Sequence, residues 1–278
     1  MTSTRLADAF HELHRQSQIL VLPGVWDVAS ARVFAARGFE ALGTTSSGIA
    51  WSLGHAAGQD VEWPVFLDVC RRIARAVEIP VSFDLESGFG DSPEVVADHV
   101  REAIEAGACG INIEDGFRDG VFADASFHAD KIRVIRALCT ALDYPLYVNA
   151  RTDVYLGGLA DESRQLAEAI SRTQQYIEAG ADGVFVPGML DAAAISTLVK
   201  EVPGPVNIYA LPGLTSAGQL GEMGVRRVSL GCGPQQSILA GIDEIATAVR
   251  LSGEWSSFTD SWMQYPQAVA VCTSPATE

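Results

Sequence analysis

A chain of 278 residues that is 48% hydrophobic can bury a large core, and its net charge of −16 opposes binding to nucleic acid or anionic membranes, which needs a positive surface. The stretch Met1 to Phe10 carries acidic and polar side chains where a secretory signal needs a continuous apolar run, and no run elsewhere approaches the ~18 apolar residues of a membrane span. The cytoplasm is the expected compartment, and five scattered cysteines without a CxxC pair are expected to be reduced and mostly structural.

In chain order, the first predicted strand is Ile19-Leu22, followed by Pro23-Gly-Val-Trp-Asp. A phrase then recurs in which a helix ends at glycine and an apolar strand follows: Arg37-Gly-Phe-Glu-Ala-Leu-Gly, Glu105-Ala-Gly-Ala-Cys-Gly-Ile, Glu178-Ala-Gly-Ala-Asp-Gly-Val and Glu222-Met-Gly-Val-Arg-Arg-Val. Further strands are expected at Pro80-Glu86, Pro145-Arg151 and Pro205-Ala210, bringing the count to about eight, the number a closed (β/α) barrel requires.

Helical periodicity fills the gaps, with Val65, Val69, Ile73 and Val77 on one face and Leu166, Ile170, Thr173 and Ile177 on another. Ser92 before Pro93, and Asp191 before Ala-Ala-Ala-Ile, read as helix N-caps. No Pro/Gly/Ser-rich linker divides the chain, so a single α/β domain, a (β/α)8 TIM barrel spanning residues 1–278, is expected. The aromatic residues Trp255, Phe258, Trp262 and Tyr265 mark a C-terminal helical extension at about 252–268 that needs a surface to cover it.

In such a barrel the site lies at the carboxyl ends of the strands. Those ends supply Trp26 and Asp27, Thr45-Ser46-Ser47, Asp84 and Glu86, Glu114 and Asp115, Asn149, Arg151 and Asp153, Asn207, and Gly231-Cys232-Gly233. Residues two apart on a strand share a side, so Asp84 and Glu86 are expected to project together. Two carboxylates about 4 Å apart repel by roughly 4 kcal/mol at an effective dielectric of about 20, which a cation, a shared proton or separation by water relieves. With Glu114 on the next strand, the oxygen-only set suits Mg²⁺, with Mn²⁺ as the alternative.

These pieces resemble the isocitrate lyase/phosphoenolpyruvate mutase superfamily, in order from Leu22-Pro-Gly-Val-Trp-Asp to about Gly233. Thr45-Ser-Ser-Gly-Ile-Ala, Asp84-Leu-Glu-Ser-Gly-Phe-Gly, Ile113-Glu-Asp and Ala150-Arg-Thr-Asp carry the likeness. The resemblance implies that Asp84, Glu86 and Glu114 surround the ion, partly through water. It also implies that Thr45, Ser46 and Ser47 meet a substrate carboxylate and that Arg151 binds substrate. Trp26 and Asn207 complete the expected substrate contacts, with Arg151 and Glu114 acting in the chemistry.

The implied reaction is metal-assisted C–C cleavage of a small 2-oxo or 2-hydroxy carboxylate through an enolate. Two alternatives are phosphoenolpyruvate mutase or phosphonopyruvate hydrolase chemistry, for which Arg118 is the one weak signal, and a metal-dependent binder without catalysis. The family's Lys-Lys-Cys-Gly-His loop, and the asparagine of its phosphonate-bond members, are absent after Glu114. Ala57 stands where the family places an aspartate. His55 and Asp60 are therefore the expected acid/base stand-ins, with His128 also expected to overhang the site. For Arg151 the competing reading is a salt bridge to Asp153 or Glu114. The resemblance further implies a homodimer or homotetramer that exchanges the C-terminal helix.

Overall fold

A computed structural model describes residues 3–116, 122–157, 160–260 and 262–273 of the chain. Its parallel strands are β1 (Leu20–Leu22), β2 (Gly24–Val25), β3 (Leu42–Thr44), β4 (Val81–Asp84), β5 (Gly110–Glu114), β6 (Tyr147–Arg151), β7 (Gly183–Phe185), β8 (Val206–Tyr209) and β9 (Arg227–Ser229). The helices are α1 (Ser3–Arg15), α2 (Val28–Ala36), α3 (Ser46–Ser52), α4 (Trp63–Arg75), α5 (Pro93–Ala106), α6 (Ala125–Ala141), α7 (Glu162–Glu178), α8 (Ala192–Glu201), α9 (Ala217–Glu222), α10 (Gly233–Ser252), α11 (Ser256–Thr259) and α12 (Tyr265–Thr273).

The sheet order is β1-β9-β8-β7-β6-β5-β4-β3-β2. β1 and β2 are one strand interrupted by Pro23, which has no N–H to give the ladder. Leu22 O accepts from Leu230 N on one side, while Pro23 O accepts from Gly43 N on the other, each at 2.9 Å. The two ends of the order therefore meet, and the barrel closes with eight staves, a (β/α)8 architecture.

Alternation along each strand divides its side chains between two environments. Phe83, Ile111, Ile113, Val148, Ala150, Ile208 and Val228 face outward into apolar clusters shared with the helices. Their neighbours Ser82, Asn112, Asn149, Asn207, Arg227 and Ser229 are buried and polar, and all but Ser82 bond to one another within the barrel. α1 closes the amino-terminal end, where the His14 ring stacks on Tyr147 at 3.9 Å and Phe10 packs beside Gly110. The opposite end is left for the site.

The expected helix signals are present. Gly38, Gly107, Gly180 and Gly224 follow their helices with φ of 83°, 109°, 107° and 95°. Ser92 Oγ accepts from Val95 N, and Asp191 Oδ2 from Ala194 N. The buried face of α4 is Phe66, Leu67, Cys70 and Ile73, so the expected stripe through Val65 is corrected: Val65 is exposed, and Val77 lies past the helix end.

The C-terminal extension is not one continuous aromatic helix. α10, α11 and α12 are separated by breaks, with Pro266 in the first turn of α12. Among the described residues of α10 only Gln235 is buried, and Ile238, Leu239, Ile242 and Leu251 are exposed, as are Trp255, Trp262 and Tyr265 beyond it. No helix among the described residues is long and apolar enough to cross a membrane.

Candidate active site

The carboxyl ends of the strands enclose a cavity of about 180 Å³. Its polar wall is built from the β3–α3 turn (Thr44 to Ser47), Asp84 at the end of β4, and Arg151 at the end of β6. Tyr209 and Cys232 stand on a further side, with Leu156, Phe185 and Pro187 as apolar wall and Asn112, Arg227 and Ser229 lining it from the barrel interior. Of the sequence-predicted residues, Thr45, Ser46, Ser47, Asp84 and Arg151 meet here.

Asp84 is held from two directions. Its Oδ2 accepts from Ser46 Oγ at 2.9 Å and from Ser46 N at 3.3 Å, while Oδ1 accepts from Asn112 Nδ2 at 3.3 Å. Asn112 is oriented in turn by Asn149 and by the buried Arg227, both of which donate to its Oδ1. Among the described residues Arg227 has no carboxylate in hydrogen-bond contact, and burial lowers it to about 10. Thr45 caps α3 through its Oγ1, which accepts from Gly48 N.

Arg151 is gripped by acids. Nε and Nη2 bind the two oxygens of Asp153 at 2.5 and 2.7 Å, and Nη1 lies 2.7 Å from Glu114 Oε2. The last contact is out of line for a hydrogen bond, so this buried carboxylate oxygen has positive charge beside it and no donor aimed at it. Burial raises Glu114 well above the usual carboxylate range, against the pull of Arg151 and with added repulsion from Asp153, Asp84 and Glu86. The competing reading of Arg151 as an ion-pair partner is therefore realised, yet its side chain still lines the cavity.

Glu86 departs from expectation. β4 ends at Asp84, and Glu86 follows at φ 49°, so strand alternation no longer governs where it points. Its carboxylate accepts from Gly58 N and Gln59 N at 3.1 Å each, capping the short 3₁₀ turn Gly58–Asp60. Burial first, and Asp84 second, raise its pKa. Gly58 is required by this approach, because a side-chain carbon there would lie 2.3 Å from Glu86 Oε1.

Of the expected set Asp84, Glu86 and Glu114, partly through water, the three side chains do not converge directly on one point. Among the described residues no group of three or more His, Cys, Asp or Glu side chains is placed to hold an ion. Asp84 alone of the three lines the cavity; Glu86 is tied to backbone and Glu114 to Arg151. A hard ion that keeps most of its waters needs only one or two carboxylates. Asp84 with the surrounding oxygens fits that mode, and the unsatisfied Glu114 oxygen fits a water-mediated role behind it.

Other expectations are also corrected. His55 is exposed after α3 and Asp60 bonds to Ala57 N in its own turn, so neither lines the cavity. Trp26 packs behind the α3 turn near Ile49, and Asn207 lies deeper in the barrel, bonded to the cavity residue Ser229. His128 does not overhang anything: it is fully buried against Tyr176 on α7, and burial with Lys131 and Arg172 nearby holds it well below the usual histidine range. Arg118 lies outside the described residues.

Sequence reasoning missed Tyr209 and gave no role to Cys232 or Asp115, which it placed only among the strand ends. Tyr209 is two residues beyond Asn207 on β8 and so shares its inward side, a signal available from strand alternation. Cys232, grouped above with structural thiols, lines the cavity and lies 3.4 Å from the Tyr209 hydroxyl. Asp115, fully buried, accepts from Arg172, Tyr176 and the backbone N–H of Asp153, which fixes the strand end carrying Arg151.

The comparisons with known proteins agree with this geometry. The family model of phosphoenolpyruvate phosphomutase matches residues 10–250. An uncharacterised protein of Mycobacterium tuberculosis is 39% identical over 242 residues, covering 87% of this chain and 88% of its own length. An oxaloacetate decarboxylase of Pseudomonas entomophila is 31% identical over 230 residues, covering 79% and 76%. Among solved structures, a candidate lyase/mutase of Burkholderia cenocepacia superposes with a TM-score of 0.92 at 34% identity, covering 99% of this chain and 98% of that one. A 2,3-dimethylmalate lyase shares the fold at a TM-score of 0.85 and 23% identity, covering 96% and 91%. With the family model spanning most of the chain, the protein belongs to the phosphoenolpyruvate phosphomutase family.

Proposed function

We propose that the protein is a lyase that breaks the carbon–carbon bond one carbon removed from the 2-oxo group of a small carboxylic acid, leaving the electron pair on the carbon next to that group, with oxaloacetate as the first substrate to assay. The observation that carries this reading is the cavity in which Arg151, the Thr45–Ser47 turn and Asp84 face one another. At about 180 Å³ it is smaller than the roughly 300–1,000 Å³ of pockets for drug-sized ligands, which suits an acid of a few carbons. The oxaloacetate decarboxylase relative supports the same bond class.

In this reading a guanidinium proton of Arg151 and the hydroxyls of Thr45 and Ser47 orient the substrate carboxylate. Asp153 and Glu114 keep Arg151 aimed, and Ser46 and Asn112 do the same for Asp84. Leu156, Phe185 and Pro187 exclude water from one side, strengthening the electrostatic contacts. Asp84 would hold Mg²⁺ or Mn²⁺, with Glu86 and Glu114 reached through water. When bound, the ion supplies positive charge to the oxygen that becomes negative as the enolate forms.

The test is incubation of the protein with Mg²⁺ and a panel of 2-oxo and 2-hydroxy di- and tricarboxylates, scored for release of a 2-oxo acid above the uncatalysed rate. Oxalate binding without turnover of any panel member would favour a non-catalytic binder instead. Loss of the phosphonate resonance on incubation with phosphonopyruvate would move the reading to P–C chemistry.

The same reading extends to assembly. Ile238, Leu239, Ile242 and Leu251 expose apolar surface along α10, continued by Trp255, Trp262 and Tyr265. A second copy of this chain is the proposed cover, because α10 continues directly from the cavity residues Gly231 and Cys232 and its apolar side chains find no cover on their own barrel.

A further inference from the structure

With enolate chemistry as its premise, the proposed function needs a proton for the reacting carbon, and neither His55 nor Asp60 lines the cavity. Among the described residues lining it there is no histidine and no lysine. The hydroxyl of Ser46 donates to Asp84, Thr45 Oγ1 caps α3, and an arginine does not release its proton at neutral pH. Thr44 Oγ1 accepts from Asp84 N, Ser229 Oγ donates to Asn207, and Ser47 serves the substrate carboxylate in the proposed function, which leaves a phenol and a thiol, Tyr209 and Cys232, 3.4 Å apart.

We propose that Tyr209 is the proton donor to the carbon released by C–C cleavage, and that Cys232 positions its hydroxyl and returns the proton. The placement of the ring is built into the barrel. Gly231 has φ 49°, and a side-chain carbon there would lie 2.6 Å from the Tyr209 ring. Gly24 on β2 approaches Gly231 O so closely that a side-chain carbon would overlap it at 1.8 Å. Gly231 thus leaves room for the Tyr209 ring, and Gly24 leaves room for the backbone of Gly231. Tyr209 also borders a second, open groove with Pro212, Leu230 and Gln236.

Burial and the contact with Cys232 raise the Tyr209 phenol, with Arg151 opposing, so the group keeps its proton at neutral pH and has one to give. The steps balance as follows. Loss of CO₂ from the substrate leaves an electron pair shared between the reacting carbon and the 2-oxygen. As the 2-oxo group re-forms, that pair takes the Tyr209 proton, making a C–H bond and a phenolate. The phenolate takes the Cys232 S–H proton, and the thiolate is reprotonated by water.

The experiment follows exchange of the pyruvate methyl protons with D₂O by proton NMR in full-length protein with Mg²⁺, alongside calorimetric titration of oxalate, an enolate mimic that takes no proton. A general acid contributes about 10²–10⁴-fold, so Tyr209→Phe is expected to slow exchange at least about 100-fold while oxalate affinity stays within about twofold. Cys232→Ala is expected to slow exchange by about tenfold and move its pH profile, and Cys232→Ser to restore most of the rate. Exchange by Tyr209→Phe within threefold of wild type would overturn the assignment, as would Cys232→Ala and Tyr209→Phe both matching wild type in pH profile. Wild-type protein that binds oxalate but exchanges no pyruvate proton and cleaves no panel acid would overturn the lyase reading and this one together.

Discussion

Arg151 grips Asp153 at two points, Nε to Oδ1 at 2.5 Å and Nη2 to Oδ2 at 2.7 Å, so the guanidinium that lines the cavity is aimed by a carboxylate two residues away. Lysine cannot reproduce this planar fork. Arg151→Lys is expected to lower kcat/KM by about 100-fold, equivalent to roughly 3 kcal/mol, in the range of lost charged hydrogen bonds. Asp153→Asn keeps one acceptor and should cost about tenfold, mainly in KM. Steady-state kinetics on the substrate identified by the panel checks both, and a silent Arg151→Lys would remove Arg151 from substrate binding.

Gly58 lets Glu86 accept two backbone N–H groups, and a side chain at residue 58 would overlap the carboxylate at 2.3 Å. Gly58→Ala is expected to destabilise the fold by about 1–3 kcal/mol, the usual cost of overpacking. Urea unfolding measures this, and amide hydrogen exchange should show faster opening of the 58–60 turn. An unchanged midpoint and slope would mean that Glu86 moves away without penalty.

His14 provides a pH signature away from the cavity. Burial, with Arg227 adding repulsion, lowers it from 6.5 to about 3, and its ring stacks on Tyr147 beside Phe10 and His11. Below pH 6.5 the unfolded chain takes up a proton that the folded chain refuses, so the stability contributed by neutral His14 is full above 6.5 and is lost as pH falls toward 3. Between pH 6.5 and pH 5 the loss is about 2 kcal/mol, at roughly 1.4 kcal/mol per pH unit. His14→Phe keeps the ring and removes the titration. Its unfolding free energy should fall less between about pH 7 and pH 5 than that of wild type, by about 2 kcal/mol, and an identical pH dependence would contradict the burial of a neutral His14.

The apolar side of α10 gives a prediction about size in solution. Light scattering at micromolar concentration should report a mass of at least twice 29.6 kDa, and Ile238→Glu with Ile242→Glu should shift it toward the monomer. A wild-type monomer would leave Leu251, Trp255 and Tyr265 uncovered and would count against a second copy as their partner.

The barrel was legible because its signals are local. Glycine after each helix, continuous apolar strands and Ser or Asp caps each follow from backbone geometry within a few residues. The alternation in Ile111-Asn-Ile-Glu, Val148-Asn-Ala-Arg and Val206-Asn-Ile-Tyr also records the polar interior directly. Thr45, Ser46, Ser47, Asp84 and Arg151 were found for the same reason, as polar ends of apolar strands. Glu86 was misplaced because the strand stops before it and the chain turns to φ 49°, which strand periodicity cannot register. His128 looked like a loop residue and is instead the inner face of α6. The pairing of Tyr209 and Cys232 with the Thr45 turn depends on barrel closure between β1 and β9, a contact across more than two hundred residues that no local pattern specifies.

The most direct test of the proposed chemistry is the rate of 2-oxo acid release from oxaloacetate, above the uncatalysed rate, by wild type and Asp84→Asn with and without Mg²⁺. Asp84 is the one member of the three expected acidic ligands that lines the cavity, and Ser46 and Asn112 hold it there. Wild type is expected to lose turnover on chelation, and Asp84→Asn to be at least about 100-fold slower at any Mg²⁺ concentration with its melting temperature preserved. Turnover by Asp84→Asn at the wild-type rate, or wild-type turnover indifferent to chelation, would contradict a metal-assisted enolate held at this cavity.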